Sequence, residues 1–149
     1  LVPRRGRRDP RLGVAQGEDE GTGMMVRVLG RRALAELLTV GDHLEAAESA
    51  FRLLGSGGAT LPPPLHIEAI DGGFHAKGGA LALGRHYAAV KVNGNFPANP
   101  ERHGLPTVQG ALLLFDGERG QPLALMDSIE LTIARTAAAN RATCRSGRC

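Results

Sequence analysis

From Leu65 to Met126, short apolar runs alternate with Gly-, Asn- and Asp-rich punctuation, and this cadence constrains the fold more than any other feature of the chain. Leu65 to Ile70 alternates with the two-residue period of a half-buried strand, Asp71-Gly72-Gly73 is a turn signal, and Phe74 to Lys77 can return as the second arm of a hairpin. Tyr87 to Asn93, Val108 to Phe115 and Pro122 to Met126 read as further strands, with Asp116-Gly117 and Arg119-Gly120 marking the turn between the last two. A short apolar run, Val26 to Leu29, reads as a strand ahead of them. The expectation is an α+β fold, in which N-terminal helices pack on a mostly antiparallel sheet of about five or six strands and a helix follows the sheet.

The helical signals lie on either side of the meander. Val40, Leu44, Ala47, Phe51 and Leu54 recur at helical spacing, Asp42, Glu45, Glu48 and Arg52 fill the opposite face, and Gly55 is placed to end the helix. The segment GSGGATLPPP that follows is a loop, and it is no phosphate cradle: such a loop opens a helix, whereas Pro62, Pro63 and Pro64 come next. No GxGxxG occurs in the chain, so a nucleotide-binding (Rossmann) domain is expected to be absent. Asp127 followed by Glu130 forms a capping box that opens a helix through Ile129, Leu131, Ile133 and Ala137, and the pattern fades at Asn140. The expected division is a disordered leader over 1–23 upstream of a start at Met24 or Met25, a folded domain over 24–127, a linking helix over 128–140 and an aberrant tail over 141–149.

Charge location excludes one class of function. Residues 1–23 hold five Arg against four acids and residues 141–149 hold three Arg and no acid, while the 117 residues between hold ten basic and eleven acidic side chains. The near-neutral body, without Trp and with one Tyr and four Phe, offers no platform for stacking bases, and nucleic acid is not expected as a partner. No apolar run is long enough to span a membrane and the N-terminal Arg cluster has no apolar segment behind it, so a cytoplasmic protein is expected. The two cysteines, Cys144 and Cys149, have no ligand partners at metal spacing, and neither zinc nor a disulfide scaffold is expected.

Sixteen Arg stand against only two Lys, Lys77 and Lys91. Lys91 falls in a predicted central strand, YAAVKVNGNFP, where it is either an amine snorkelling from an edge to water or a buried group that binds a carboxylate or shuttles a proton. Lys77 lies among glycines in FHAKGGAL and reads as an exposed loop residue, although His75, two residues earlier, could join it in a polar pocket. The Asn93-Gly94-Asn95 stretch with Pro97 and Asn99-Pro100 is a polar loop at the end of the Lys91 strand, a common setting for ligand contacts. Ser56, Ser128 and Ser146 lack the setting of a nucleophile, so hydrolase chemistry has no support.

The stretch KVNGNFPANPERHGLPTVQGALLLFDGERGQPLALMDSIELTIARTAAA resembles the ornithine cyclodeaminase/mu-crystallin family, and the likeness extends over roughly residues 24–139. What the resemblance implies is a two-domain, NAD-dependent enzyme, often a homodimer joined through this half, that converts L-ornithine to L-proline with release of ammonia; alanine dehydrogenase and ketimine reductase activities are the alternatives within the family. By position, Lys91 matches the family's substrate-binding lysine, Thr107 and Arg135 match residues that approach the cofactor, and His75 falls where relatives carry Glu or Arg facing the substrate. Relatives carry a carboxylate-clamping Arg near Pro64, and Lys77 is the cation that could replace it. The resemblance also implies that the catalytic Asp and glycine-rich turn would lie beyond residue 149, so that no complete catalytic set is expected here and the chain alone is expected to be inactive; a frameshift would account for the change from RTAAA to NRATCRSGRC. The reading from a different class is a non-catalytic module that pairs with itself or with a full-length relative.

Overall fold

The computed structural model describes residues 15–18 and 25–132. In chain order the elements are β1 (Ala15–Glu18), β2 (Met25–Leu29), α1 (Arg31–Leu37), α2 (Val40–Gly55), β3 (Ala59–Thr60), β4 (Leu65–Ala69), β5 (Gly72–Leu83), β6 (Arg85–Asn95), α3 (Asn99–His103), β7 (Val108–Asp116) and β8 (Pro122–Asp127). A further helix, α4, opens at Ser128 directly after β8. All the strands belong to one sheet of eight in the order β1-β2-β8-β7-β6-β5-β3, with β4 pairing with β5 off this path. Every pairing is antiparallel except β2 with β8. This is the expected α+β arrangement with more strands than expected, because β5 offers one long edge to two short strands in succession: β4 covers Gly72–Ala76 and β3 covers Ala80–Leu81.

The centre of the sheet is the β5–β6–β7 meander, where alternation carries the assignment. β5 and β6 run in continuous register from Gly73↔Asn95 to Leu83↔Arg85 and reverse at Gly84, whose φ of 70° is the left-handed conformation that glycine adopts without a Cβ clash. The β4–β5 turn falls at Ile70-Asp71 rather than at Asp71-Gly72-Gly73; Asp71 takes the left-handed φ of 62°, which Asp tolerates, and leaves both glycines free to join the strand.

Helix α2 begins with a reciprocal cap. Thr39 Oγ1 accepts from the Asp42 backbone N–H at 3.2 Å, and Asp42 accepts from the Thr39 N–H at 2.7 Å and its hydroxyl at 2.6 Å. These bonds hold the Asp42 carboxyl below its ordinary range, led by the Thr39 hydroxyl. At the other end Gly55 is still helical, and the left-handed residue that releases the chain is Gly57, at φ 79°. Helix α1 buries Ala33 and Leu34, α2 buries Ala47, and Ala124 of β8 joins them, so the core is thin and lies between the N-terminal helices and the sheet.

Three expectations are corrected by these elements. Four residues of the segment read as a disordered leader, Ala15–Glu18, pair antiparallel with β2, because β2 otherwise presents an unpaired edge. The loop expected across GSGGATLPPP contains β3. Lys77, expected in a glycine-rich loop, stands in the middle of β5, since Gly78 and Gly79 extend the strand where other segments press close: a Cβ at Gly79 would lie 2.9 Å from both Leu61 Cδ2 and the Thr60 carbonyl oxygen.

Candidate functional site

In an antiparallel sheet, residues directly opposite one another share a face. Lys91 on β6 is opposite Lys77 on β5 and Leu112 on β7, so both lysines of the chain project from the same face of neighbouring strands. That face lies under α2. Between them is a cavity of about 540 Å³, within the range of small-ligand sites. Its floor includes Lys77, Gly79, Lys91 and Leu112; Ala47, Ala50, Phe51 and Leu54 line it from α2, and Leu131 and Thr132 close it from α4.

The cavity is apolar except for a few groups, and the charged ones have one sign. Lys77 and Lys91 line it, His43 adds an imidazole from α2, and no Asp or Glu is among its described lining residues. Lys91 is half-buried in the strand expected from the sequence, and its Nζ donates to Thr132 Oγ1 at 3.2 Å. The Thr132 hydroxyl in turn donates to the Ser128 carbonyl at 2.6 Å, and the Ser128 hydroxyl donates to Asn93 Oδ1 at 2.6 Å. Asn93 is two residues from Lys91 and therefore on the same face of β6, so this chain of bonds ties the first turn of α4 to the strand that carries the lysine. Ser128 is fully buried, and Gly110, opposite Asn93 on β7, leaves the space in which the Ser128–Asn93 bond forms.

Asp127 holds the start of α4 from the strand side. Its Oδ1 accepts from the backbone N–H groups of Ile129 at 2.9 Å and Glu130 at 3.3 Å, the acceptor half of the capping box read in the sequence, and it pairs with Arg31 at 3.6 Å. The helix that carries Thr132 is thereby fixed to both β8 and α1.

Other residues singled out in the sequence fall elsewhere. His75 is on the lysine face of β5 but does not line the cavity; it meets His66 across the β4–β5 pair, with Nδ1 atoms 3.3 Å apart and ring centroids 4.4 Å apart. The pocket of His75 with Lys77 is thus replaced by a histidine pair, for which Gly73 makes room: a Cβ there would stand 3.1 Å from His66 Cε1. Pro64 is exposed just before β4. The Asn93-Gly94-Asn95 stretch, expected to be loop, completes β6, and α3 follows it.

Of the two residues expected at the cofactor, Arg135 lies outside the described residues. Thr107 precedes β7, its carbonyl accepts from Phe96 N–H at 2.8 Å, and it does not line the cavity. The glycine turn at 55–58 leads from a helix into a strand, the reverse of a phosphate-binding turn. No GxGxxG turn occurs among the described residues. No helix among them is long and apolar enough to cross a membrane.

The cavity under α2 thus sets two lysines into an otherwise largely apolar lining. The chain belongs to the ornithine cyclodeaminase/mu-crystallin family, whose model matches residues 25–145. It is 36% identical over 119 residues to an alanine dehydrogenase of Archaeoglobus fulgidus, a match covering 78% of this chain and 35% of that protein. Among solved structures it resembles an archaeal alanine dehydrogenase dimer with bound NAD at 35% identity and a TM-score of 0.72, covering 76% of this chain and 34% of that one. It also resembles the Δ1-pyrroline-2-carboxylate reductase of Thermococcus litoralis in complex with NADH and L-proline, at 35% identity and a TM-score of 0.70, covering 76% of this chain and 35% of that one. The chain thus spans about a third of the length of these relatives.

Proposed function

We propose that these residues are the substrate-binding part of an NAD(H)-linked enzyme acting on a small amino or imino acid, with Lys91 anchoring the α-carboxylate. The observation that carries this reading is a half-buried lysine on the floor of a mostly apolar cavity of about 540 Å³, its amine oriented by Thr132. An ammonium so placed meets a carboxylate through a charge-assisted bond, and the surrounding Ala, Leu and Phe side chains fit a short aliphatic body. The relatives' ligands, NAD in one and NADH with L-proline in another, support both halves of the reading.

Within the family, deaminating cyclisation of L-ornithine to L-proline needs a pocket that accommodates a second ammonium. The described lining offers that group no carboxylate and adds a second cation, Lys77. An alanine dehydrogenase or ketimine reductase type of reaction therefore fits these residues better. Titration calorimetry of this chain with L-alanine and L-proline tests the anchor: saturable binding that Lys91→Met abolishes is expected, and equal binding by that variant refutes it.

The same domain is proposed to join two copies of the chain. On the sheet face away from the lysines, Leu65 and Ile67 of β4, Phe74 of β5, Val90 and Val92 of β6 and Leu113 of β7 stand side by side and are between 36% and 59% exposed. An apolar face of this extent calls for a partner, and the relative described as a dimer favours a second copy.

A further inference from the structure

The cavity holds one lysine more than an α-carboxylate anchor requires. Lys77 stands directly opposite Lys91, an arrangement in which like charges repel across about 5 Å of sheet. It makes no ion pair with any described residue. Lys91 is drawn toward α4 by Thr132, whereas Lys77 lies one strand further from that helix, beside Gly78 and Gly79 and under the α2 side chains. The two cations are thus placed to address separate acceptors. Lys77 is exposed at the edge of the cavity and has no anionic partner among the described residues: a ligand with one carboxylate leaves it so, a ligand with two meets both lysines, and one with a terminal ammonium adds a third positive charge.

From this we propose that the substrate is a dicarboxylic amino or imino acid, its α-carboxylate on Lys91 and its side-chain carboxylate on Lys77. The proposal rests on the reading of Lys91 as the anchor and adds the identity of the substrate side chain. Lys77 then acts as a specificity residue, because a cavity with a fixed positive charge binds an aliphatic side chain less tightly than an anionic one, by the interaction left unmade, and a cationic side chain least tightly.

Three amino acids with the same five-carbon chain separate the possibilities: L-glutamate ends in a carboxylate, L-norvaline in a methyl and L-ornithine in an ammonium. Calorimetric titration of the chain with each, at low and at physiological salt, is expected to rank glutamate at least tenfold tighter than norvaline and ornithine weakest. Lys77→Met is expected to bring glutamate down to the norvaline level while norvaline binding and the urea midpoint stay as in the unmodified protein. Ornithine binding as tightly as norvaline overturns the proposal, as does a glutamate preference that survives Lys77→Met. Norvaline binding through Lys91 with no advantage for glutamate overturns this inference and leaves the anchor standing. Binding of none of the three overturns both.

Discussion

Replacing Gly110 by Ala tests the contact network that holds the cavity lysine. A Cβ built on Gly110 would lie 2.3 Å from the Val92 carbonyl oxygen, 2.4 Å from Asn93 Oδ1 and 2.7 Å from Ser128 Oγ, all closer than real Cβ contacts. Asn93 can rotate away, but the Val92 oxygen is backbone, so β6 and β7 must move apart locally or the strand must bend. Overpacking of this kind costs about 1–3 kcal/mol. If Asn93 yields, the fully buried Ser128 hydroxyl loses its acceptor, which adds about 1–3 kcal/mol. A total near 4 kcal/mol, divided by a urea dependence of about 2 kcal/mol per molar, lowers the urea midpoint by roughly 2 M. The assay is equilibrium urea unfolding followed by far-UV circular dichroism. Gly55→Ala is the control: Gly55 is helical, a Cβ there meets nothing within 4 Å, and the change is expected to leave the midpoint unchanged or raise it. Gly110→Ala within about 0.5 kcal/mol of the unmodified protein, or full recovery of stability when Asn93→Ala is added, would falsify the steric argument at Val92.

Further outcomes follow from the same geometry. Thr132→Val removes the acceptor that orients Lys91 and is expected to weaken carboxylate binding about 2- to 12-fold, the equivalent of one hydrogen bond of roughly 0.5–1.5 kcal/mol, while Thr132→Ser retains the affinity; loss of affinity in both variants contradicts a positioning role. Val92→Glu puts a charge in the middle of the exposed apolar face and is expected to convert a dimer into a monomer by light scattering, with the fold unchanged by circular dichroism; an unchanged dimer places the interface elsewhere. Acid is expected to destabilise the domain through Asp42 and Asp116. Asp116 accepts from the Glu118 and Arg119 backbone N–H groups and lies beside Arg85, and each carboxyl is held below its ordinary value, so the unfolded chain binds the proton more readily. Their contribution is present above about pH 4, where the unfolded carboxyls are ionised, and fades as pH falls through the lower folded values. Melting temperatures measured from pH 6 to pH 2 should fall less steeply in Asp116→Asn, and an unchanged slope removes Asp116 from the account.

What was legible beforehand was whatever depends on local alternation. Strands β4, β6, β7 and β8, the Phe74–Lys77 part of β5 and helix α2 announce themselves because their apolar residues recur at two or 3.6 residues, and turn residues such as Asp116-Gly117 separate them. Short elements sustained by tertiary partners were not legible: α1 has seven residues, β3 has two, and the pairing of β1 with β2 depends on an edge that the sequence does not reveal. Lys77 was misplaced for a physical reason, since glycine is a turn signal in isolation and a close-approach residue where Leu61 and Thr60 press on Gly79. At the site, Lys91 stood out as a rare lysine within an apolar strand. Its bond to Thr132 spans 41 residues and leaves no local trace, and the meeting of His66 with His75 appears only once the β4–β5 register is known.

The anchoring role of Lys91 is tested most directly by the lysine side-chain signals themselves. The chain has only two lysines, so a sample labelled with 13C at lysine Cε gives two ammonium-adjacent signals, and Lys77→Met assigns them. Titration with acetate is expected to move the Lys91 signal along a saturable curve. Two signals that shift together and linearly with salt would contradict the claim that this lysine is a carboxylate-binding group.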